Sequence, residues 1–187
     1  MMLQVSGLAN DSIVDGPGFR FTIFVQGCPH RCRGCQNPQT HAFEGGTLMT
    51  TEEILEKIRR NPLLDGVTFS GGEPFCQAQA LAQLGREIHR MGLNIMTYTG
   101  YTFEYLSANR DLNSYGELLD VSDWLVDGKF IESKRSLNLL FRGSENQRIL
   151  DIPRSIAARQ AIGADFGMDF TGCENYTSYP DYAVNYA

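Results

Sequence analysis

Two periods organise the apolar residues of this chain. Residues 19–25 alternate, with Phe19, Phe21, Ile23 and Val25 on one side, which is the two-residue period of a strand with one buried face. Thr50-x-x-Glu53 reads as a capping box, and Ile54, Leu55 and Ile58 give the helix it opens an apolar stripe. Residues 67–70 predict a short strand ended by Gly71-Gly72. Residues 77–90 carry the clearest helical signal, with Leu81, Leu84, Ile88 and Met91 at helical spacing. Residues 93–98 predict a third strand, 102–119 a weaker helical stretch, 124–127 a fourth strand and 148–152 a fifth.

Strands separated by helices imply right-handed crossovers and a parallel sheet, so the pattern predicts an α/β fold. In such sheets the working residues collect beyond the carboxyl ends of the strands. Four unusual segments obey that rule: Cys28 to Cys35, Ser70-Gly71-Gly72-Glu73-Pro74, Thr97-Tyr98-Thr99-Gly100 and Asp127-Gly128-Lys129. Residues 1–152 read as one domain and 153–187 as an irregular or partner-contacting extension. Within that extension residues 155–162 suggest a short helix, and Tyr176, Tyr179, Tyr182 and Tyr186 crowd its end.

Composition narrows the class. The 187 residues suffice for one domain with a real core, and 42% hydrophobic with 20% charged residues is ordinary for a globular protein. A net charge of −6 argues against a general nucleic-acid surface and leaves Arg31 with Arg33 as a local positive patch. No apolar run approaches the roughly 18 residues of a membrane span, and no basic-then-apolar leader is expected. Five cysteines, three of them packed together, fit a reducing, cytoplasmic setting and metal ligation better than a disulfide framework.

The three form a C-x3-C-x2-C run, Cys28, Cys32 and Cys35. Three thiolates on one loop can hold a [4Fe–4S] cluster with one iron left open for chemistry, since four would close it. A zinc site of Cys3His type, using His30 or His41, is the rival from the same residues. Ser70 to Pro74 reads either as a strand-to-helix turn or as a backbone-edged platform for a small ligand with an amino group.

These motifs in this order resemble the radical S-adenosylmethionine superfamily. Asp15-Gly16-Pro17-Gly18-Phe19-Arg20 resembles the start of its glycyl-radical activating enzymes. Thr99-Gly100-Tyr101, Leu125 to Phe130 and Phe141-Arg142-Gly143-Ser144-Glu145-Asn146-Gln147 resemble the family that activates the anaerobic (class III) ribonucleoside-triphosphate reductase. The resemblance covers about residues 14–152. It implies a partial, open parallel β/α barrel. It also implies a [4Fe–4S] cluster on Cys28, Cys32 and Cys35, with S-adenosylmethionine chelated to the fourth iron. Gly34, Cys35 and Gln36 would border that ligand, and Gly71, Gly72 and Glu73 would line its amino end. Reductive cleavage would give a 5′-deoxyadenosyl radical that takes a hydrogen atom from a glycine of the reductase large subunit, with a flavodoxin-type protein as electron donor.

By the same resemblance Asp127 binds a monovalent cation or S-adenosylmethionine, and Lys129 sits near the reacting centre; a surface turn is the plain alternative. Arg142 to Ser144 would contact the ligand or the partner. Arg20 and His89 read as solvated residues, His30, Arg31 and Arg33 as freely variable, and Cys76 and Cys173 as plain thiols. Gly34 before the third cysteine suits the reductase-activating family. Gln36 departs from the aromatic or histidine expected there. Two rivals remain: an activase of another glycyl-radical enzyme such as pyruvate formate-lyase, and a non-catalytic zinc module.

Overall fold

The structure is a computed structural model describing residues 1–166; Cys173 and the tyrosines at 176, 179, 182 and 186 lie outside the described residues. In chain order the elements are β1 (Met2–Ser12), β2 (Arg20–Val25), β3 (Thr47–Thr50), α1 (Thr51–Arg59), β4 (Gly66–Gly71), α2 (Ala78–Arg90), β5 (Asn94–Tyr98), α3 (Phe103–Ala108), α4 (Tyr115–Asp120), β6 (Trp124–Asp127), β7 (Arg148–Asp151) and α5 (Ile152–Ala158). The seven strands form one sheet in the order β3-β1-β2-β4-β5-β6-β7. β2, β4, β5 and β6 are parallel. β1 pairs antiparallel with β2, β3 antiparallel with β1, and β7 antiparallel with β6. With β3 and β7 at opposite edges the sheet is open, in agreement with a partial barrel.

Alternation along the strands sorts the two faces. Phe21, Ile23 and Val25 of β2, Val67 and Phe69 of β4, Ile95 of β5 and Leu125 of β6 join Ile54, Leu81, Leu84, Ile88 and Leu118 from the helices in one buried cluster. The expected capping box starts α1: the Glu53 amide donates 3.1 Å to Thr50 Oγ1, and the Thr50 amide donates 2.7 Å to Glu53 Oε2.

The other face is covered by the loop between β1 and β2. Thr68 Oγ1 donates 2.8 Å to the Asp15 carbonyl and Thr22 Oγ1 donates 3.1 Å to its carboxylate. Gly16 sits at φ +143°, and a Cβ there would come within 2.8 Å of Met96 Sδ and closer still to Arg20. Arg20 overturns the expectation of a solvated residue, because its side chain is 0% exposed. It donates to Thr68 Oγ1 (2.6 Å), Asn94 Oδ1 (2.7 Å) and the Val67 carbonyl (2.7 Å), and lies over the Trp124 ring. Burial there pushes the guanidinium down to about 10.

Four elements differ from the sequence expectation, one of them the unpredicted four-residue edge strand β3. β1 was not anticipated, because register shifts between Val5 and Gly7 and between Ala9 and Ser12 break its alternation. The stretch over 102–119 is two short helices, parted where Asn113 and Ser114 adopt left-handed backbone. α5 begins at Ile152 because Asp151 Oδ1 caps it, accepting 2.9 Å from the Arg154 amide, with Pro153 in its first turn. Beyond α5 the chain returns to β7: the Asp151 amide donates to Ile162 O and Ala164 N to Ile149 O, each at 2.9 Å. Among the described residues no helix is long and apolar enough to cross a membrane.

Candidate active site

The four segments singled out at strand ends meet around one cavity of about 330 Å³, within the roughly 300–1,000 Å³ of small-molecule sites. Cys28, Cys32 and Cys35 line it, opposite Ser70-Gly71-Gly72 and Thr99-Gly100. Gly128, Phe130, Arg142 and Gly143 close a further side.

The cysteine loop is pinned at its base. The amides of Gly27 and Cys28 donate to the carbonyls of Thr40 (2.9 Å) and His41 (3.1 Å). The buried Gln26 amide group donates to the carbonyls of Gln39 (3.2 Å), Ala42 (2.7 Å) and Glu44 (3.3 Å). Backbone N–H groups face each cysteine sulfur: that of Asn37 donates 3.4 Å to Cys35 Sγ, those of His30 and Arg31 lie toward Cys28, and that of Phe130 toward Cys32. Burial pushes the Cys28 and Cys32 thiols up, while these N–H groups, and the Lys129 ammonium near Cys32, pull them down. Metal binding here must therefore displace protons.

The β4 exit lies hard against the β2 exit. A Cβ on Gly71 would sit 2.5 Å from the Val25 amide nitrogen, and one on Gly72 would sit 2.3 Å from the Gly27 carbonyl oxygen. The amides of Gly72 and Glu73 donate 2.8 Å to Val25 O and Gly27 O. The glycines thus serve strand packing as well as exposing backbone to the cavity. Glu73, 1% exposed, is not among the cavity-lining residues, and both its carboxylate oxygens are bonded. Oε1 accepts from the Phe75 amide (3.0 Å) and Thr99 Oγ1 (2.9 Å), and Oε2 from the Gly100 amide (2.8 Å) and His30 Nε2 (2.7 Å).

The loop from Gly128 to Gln147 is folded by its own polar side chains. Gln147 donates 3.0 Å to Gly128 O and accepts from the amides of Gly143 (2.9 Å) and Ser144 (3.1 Å). Asn146 donates 2.8 Å to Lys129 O, and Tyr98 donates 2.8 Å to Phe141 O. Asp127 is buried below this loop. It accepts from Arg148 Nε at 2.9 Å, from a second Arg148 nitrogen and from the Phe103 amide at 2.8 Å; Arg148 also grips Glu104 at 2.8 and 3.0 Å.

Of the residues expected at the site, Cys28, Cys32, Cys35, Gln36, Gly71 and Gly72 border the cavity; Gly34, Glu73, Asp127 and Lys129 do not. Gly34 faces the Glu132 carboxylate, and Lys129 is exposed beside the Cys32 environment. His30, expected to vary freely, is buried, and Gln26 was not anticipated at all. A residue between two cysteines carries no hydropathy signal of its own, and a lone glutamine after a strand carries none.

The donor set suits an iron–sulfur cluster: three thiols, no disulfide, N–H groups aimed at the sulfurs, and an adjoining cavity large enough for a small ligand. Of the two histidines the zinc rival could use, His30 gives its Nε2 to Glu73, while His41 Nε2 stays unpartnered. Among the described residues no three His, Cys, Asp or Glu side chains are placed to hold a single ion. Two buried nitrogens in the cavity wall lack partners, His41 Nε2 and Arg142 Nε, which marks the cavity as a place for a polar ligand.

The chain is similar to known iron–sulfur and activating proteins. The family described as a 4Fe-4S single cluster domain matches residues 14–150. The chain is 37% identical over 145 residues to the anaerobic ribonucleoside-triphosphate reductase-activating protein of Vibrio cholerae, covering 73% of this chain and 90% of that one. It is 34% identical over 139 residues to the pyruvate formate-lyase-activating enzyme of Clostridium pasteurianum, covering 71% of this chain and 55% of that one. Among solved structures, QueE from Escherichia coli aligns with a TM-score of 0.45 and 19% identity, over 55% of this chain and 54% of that one. The chain belongs to the 4Fe–4S single-cluster family, in the group of anaerobic ribonucleoside-triphosphate reductase-activating proteins.

Proposed function

We propose that this protein installs the glycyl radical of an anaerobic ribonucleoside-triphosphate reductase, with Cys28, Cys32 and Cys35 holding a [4Fe–4S] cluster whose open iron takes S-adenosylmethionine. The observation that carries this reading is the meeting of the three cysteines with the Ser70-Gly71-Gly72 backbone on one cavity. When bound, the two cofactors supply one-electron cleavage of the sulfonium and the hydrogen abstraction that leaves the radical on the reductase.

The chain's own residues bind, orient and shield. Gln36 and the carbonyl edge of residues 70–72 offer polar groups to the methionine end of the ligand. Arg142, with Nε buried and unpartnered, offers a cation to its carboxylate. Lys129, near Cys32, adds positive charge where an electron must arrive. Asp127 acts through Arg148 and α3, holding the loop that carries Lys129 and Phe130, and we assign no cation to it. Two apolar residues, Val14 and Leu139, stand among the cavity's lining, and Val14 is 73% exposed. That surface suits a protein segment delivered from the reductase large subunit. A flavodoxin-type donor and an oxygen-poor cytoplasm complete the reading.

The test is 5′-deoxyadenosine formation by protein reconstituted anaerobically with iron and sulfide, then given S-adenosylmethionine and dithionite. Product that vanishes in Cys32→Ala is expected. No product from protein carrying a full four-iron cluster, with the reductase present, overturns the reading.

A further inference from the structure

We propose that His30 is a positioning residue for the iron–sulfur site, seating the cysteine loop on the β4 and β5 exits through its bond to Glu73. The inference rests on the reading that the three cysteines hold a cluster. His30 lies midway between Cys28 and Cys32, where the spacing demands nothing of its side chain. Yet that side chain is only 6% exposed. Its Nε2 stands 2.7 Å from Glu73 Oε2. A carboxylate only accepts, so His30 is the donor and carries its proton on Nε2.

Three further contacts make the residue specific to its place. Its ring meets Tyr101 edge-on, with centroids 4.6 Å apart. A Cβ on Gly100 would lie 2.3 Å from His30 Cδ2 and 2.6 Å from Nε2, so the glycine of Thr99-Gly100-Tyr101 is the room this imidazole needs. Its backbone N–H lies toward Cys28, where it lowers the thiol's pKa against the burial that raises it. One residue therefore sits beside a cysteine sulfur with its main chain and holds a buried anchor with its side chain. That anchor, Glu73, joins the exits of β4 and β5 through the Phe75, Thr99 and Gly100 groups. Three strand ends share one carboxylate, and His30 is the member that belongs to the cysteine loop.

The geometry has an electronic consequence. N–H groups bonded to cysteine sulfur stabilise the extra negative charge of a reduced cluster, and so raise its potential. Releasing His30 frees the loop whose backbone N–H groups lie toward Cys28, weakens their effect on that sulfur and lowers the midpoint. Packing alone would not do this, which fixes the choice of variants. His30→Leu fills much of the ring space without a donor, and His30→Gln returns an N–H at a similar reach.

Each variant is compared with wild type in two states. In the metal-free protein, hydrogen exchange is followed at the Gly100 amide and across residues 28–41. Loss of one buried bond in this network is expected to speed Gly100 exchange about tenfold in His30→Leu. In the reconstituted protein, iron and sulfide are counted, and the reduced cluster's electron paramagnetic resonance spectrum and midpoint potential are recorded. The expected result is a shifted spectrum and a lower midpoint in His30→Leu, with His30→Gln matching wild type in both states. Gly100→Ala, which drives a methyl group into the ring, is expected to mimic His30→Leu.

Wild-type exchange, spectrum and midpoint in His30→Leu would overturn the proposal and leave the cluster reading intact. Equal disturbance in His30→Leu and His30→Gln would overturn it too, because only a space-filling ring would then matter. A wild-type protein that takes up no cluster would fail the functional reading itself, while the metal-free exchange data would still decide the seating.

Discussion

Replacing Glu73 by Gln keeps shape and volume and removes one charge. The Phe75 amide and the Gly100 amide donate to opposite carboxylate oxygens. Both are obligate donors. A glutamine must place its own NH2 against one of them, whichever way it turns. Thr99 Oγ1 can rotate and His30 can change tautomer, but neither backbone N–H can become an acceptor. One charge-assisted hydrogen bond is lost, and one N–H is left unsatisfied beside a residue that is 1% exposed. The combined cost is about 3 kcal/mol. For a domain of this size each kcal/mol moves the melting midpoint by roughly 2–4 °C, so Glu73→Gln should melt about 6–12 °C below wild type. The assay is thermal unfolding of metal-free, reduced protein followed by circular dichroism. A side chain reserved for the ligand's amino group predicts the opposite pattern, an unchanged metal-free melt with weakened S-adenosylmethionine binding. A melt within about 2 °C of wild type would refute the anchoring role.

Other perturbations test other parts of the frame. Thr50→Ala, which removes the α1 cap, should cost about 1 kcal/mol in urea unfolding at neutral pH. The Thr50 amide and hydroxyl hold the Glu53 carboxyl below the usual carboxylate range. Its contribution is therefore present above the unfolded-state value of about 4.3 and lost as pH falls through the lower folded value. Wild type should lose its advantage over Glu53→Gln across that acid window. Arg148→Ala strands the Asp127 carboxylate with only the Phe103 amide and should cost about 3 kcal/mol, whereas Glu104→Ala, at the exposed end of the same arginine, should cost under about 1 kcal/mol; equal costs would contradict the burial argument. Gln26→Ala frees the carbonyls of Gln39, Ala42 and Glu44. Tryptic cleavage after Arg31 or Arg33 should then be faster than in wild type.

Much of this frame was legible because the relevant signals are local. The alternation of β2, the apolar stripe of α2 and the Thr50–Glu53 box each depend on a few neighbouring residues, and each element appears where its pattern lies. The gathering of cysteines, glycines and the Asp127 segment at one sheet edge followed from strand order alone. What was not legible depends on long-range partners. Arg20 looks like any strand arginine until Thr68 and Asn94 arrive from β4 and β5. Glu73 looks like a ligand contact until four donors from three loops fill it. Asp127 looks free until Arg148, 21 residues on, pairs with it. β1 was hidden by its own irregular register.

The central claim is that this site makes a glycyl radical on a reductase. It is tested most directly by electron paramagnetic resonance of the anaerobic ribonucleoside-triphosphate reductase after incubation with the reconstituted protein, S-adenosylmethionine and reductant. The account predicts an organic radical on the reductase whose hyperfine splitting collapses when its glycine is α-deuterated, and which is absent with Cys28→Ala, Cys32→Ala or Cys35→Ala. A fully loaded protein that leaves the reductase without radical, while a pyruvate formate-lyase treated in parallel acquires one, would contradict it.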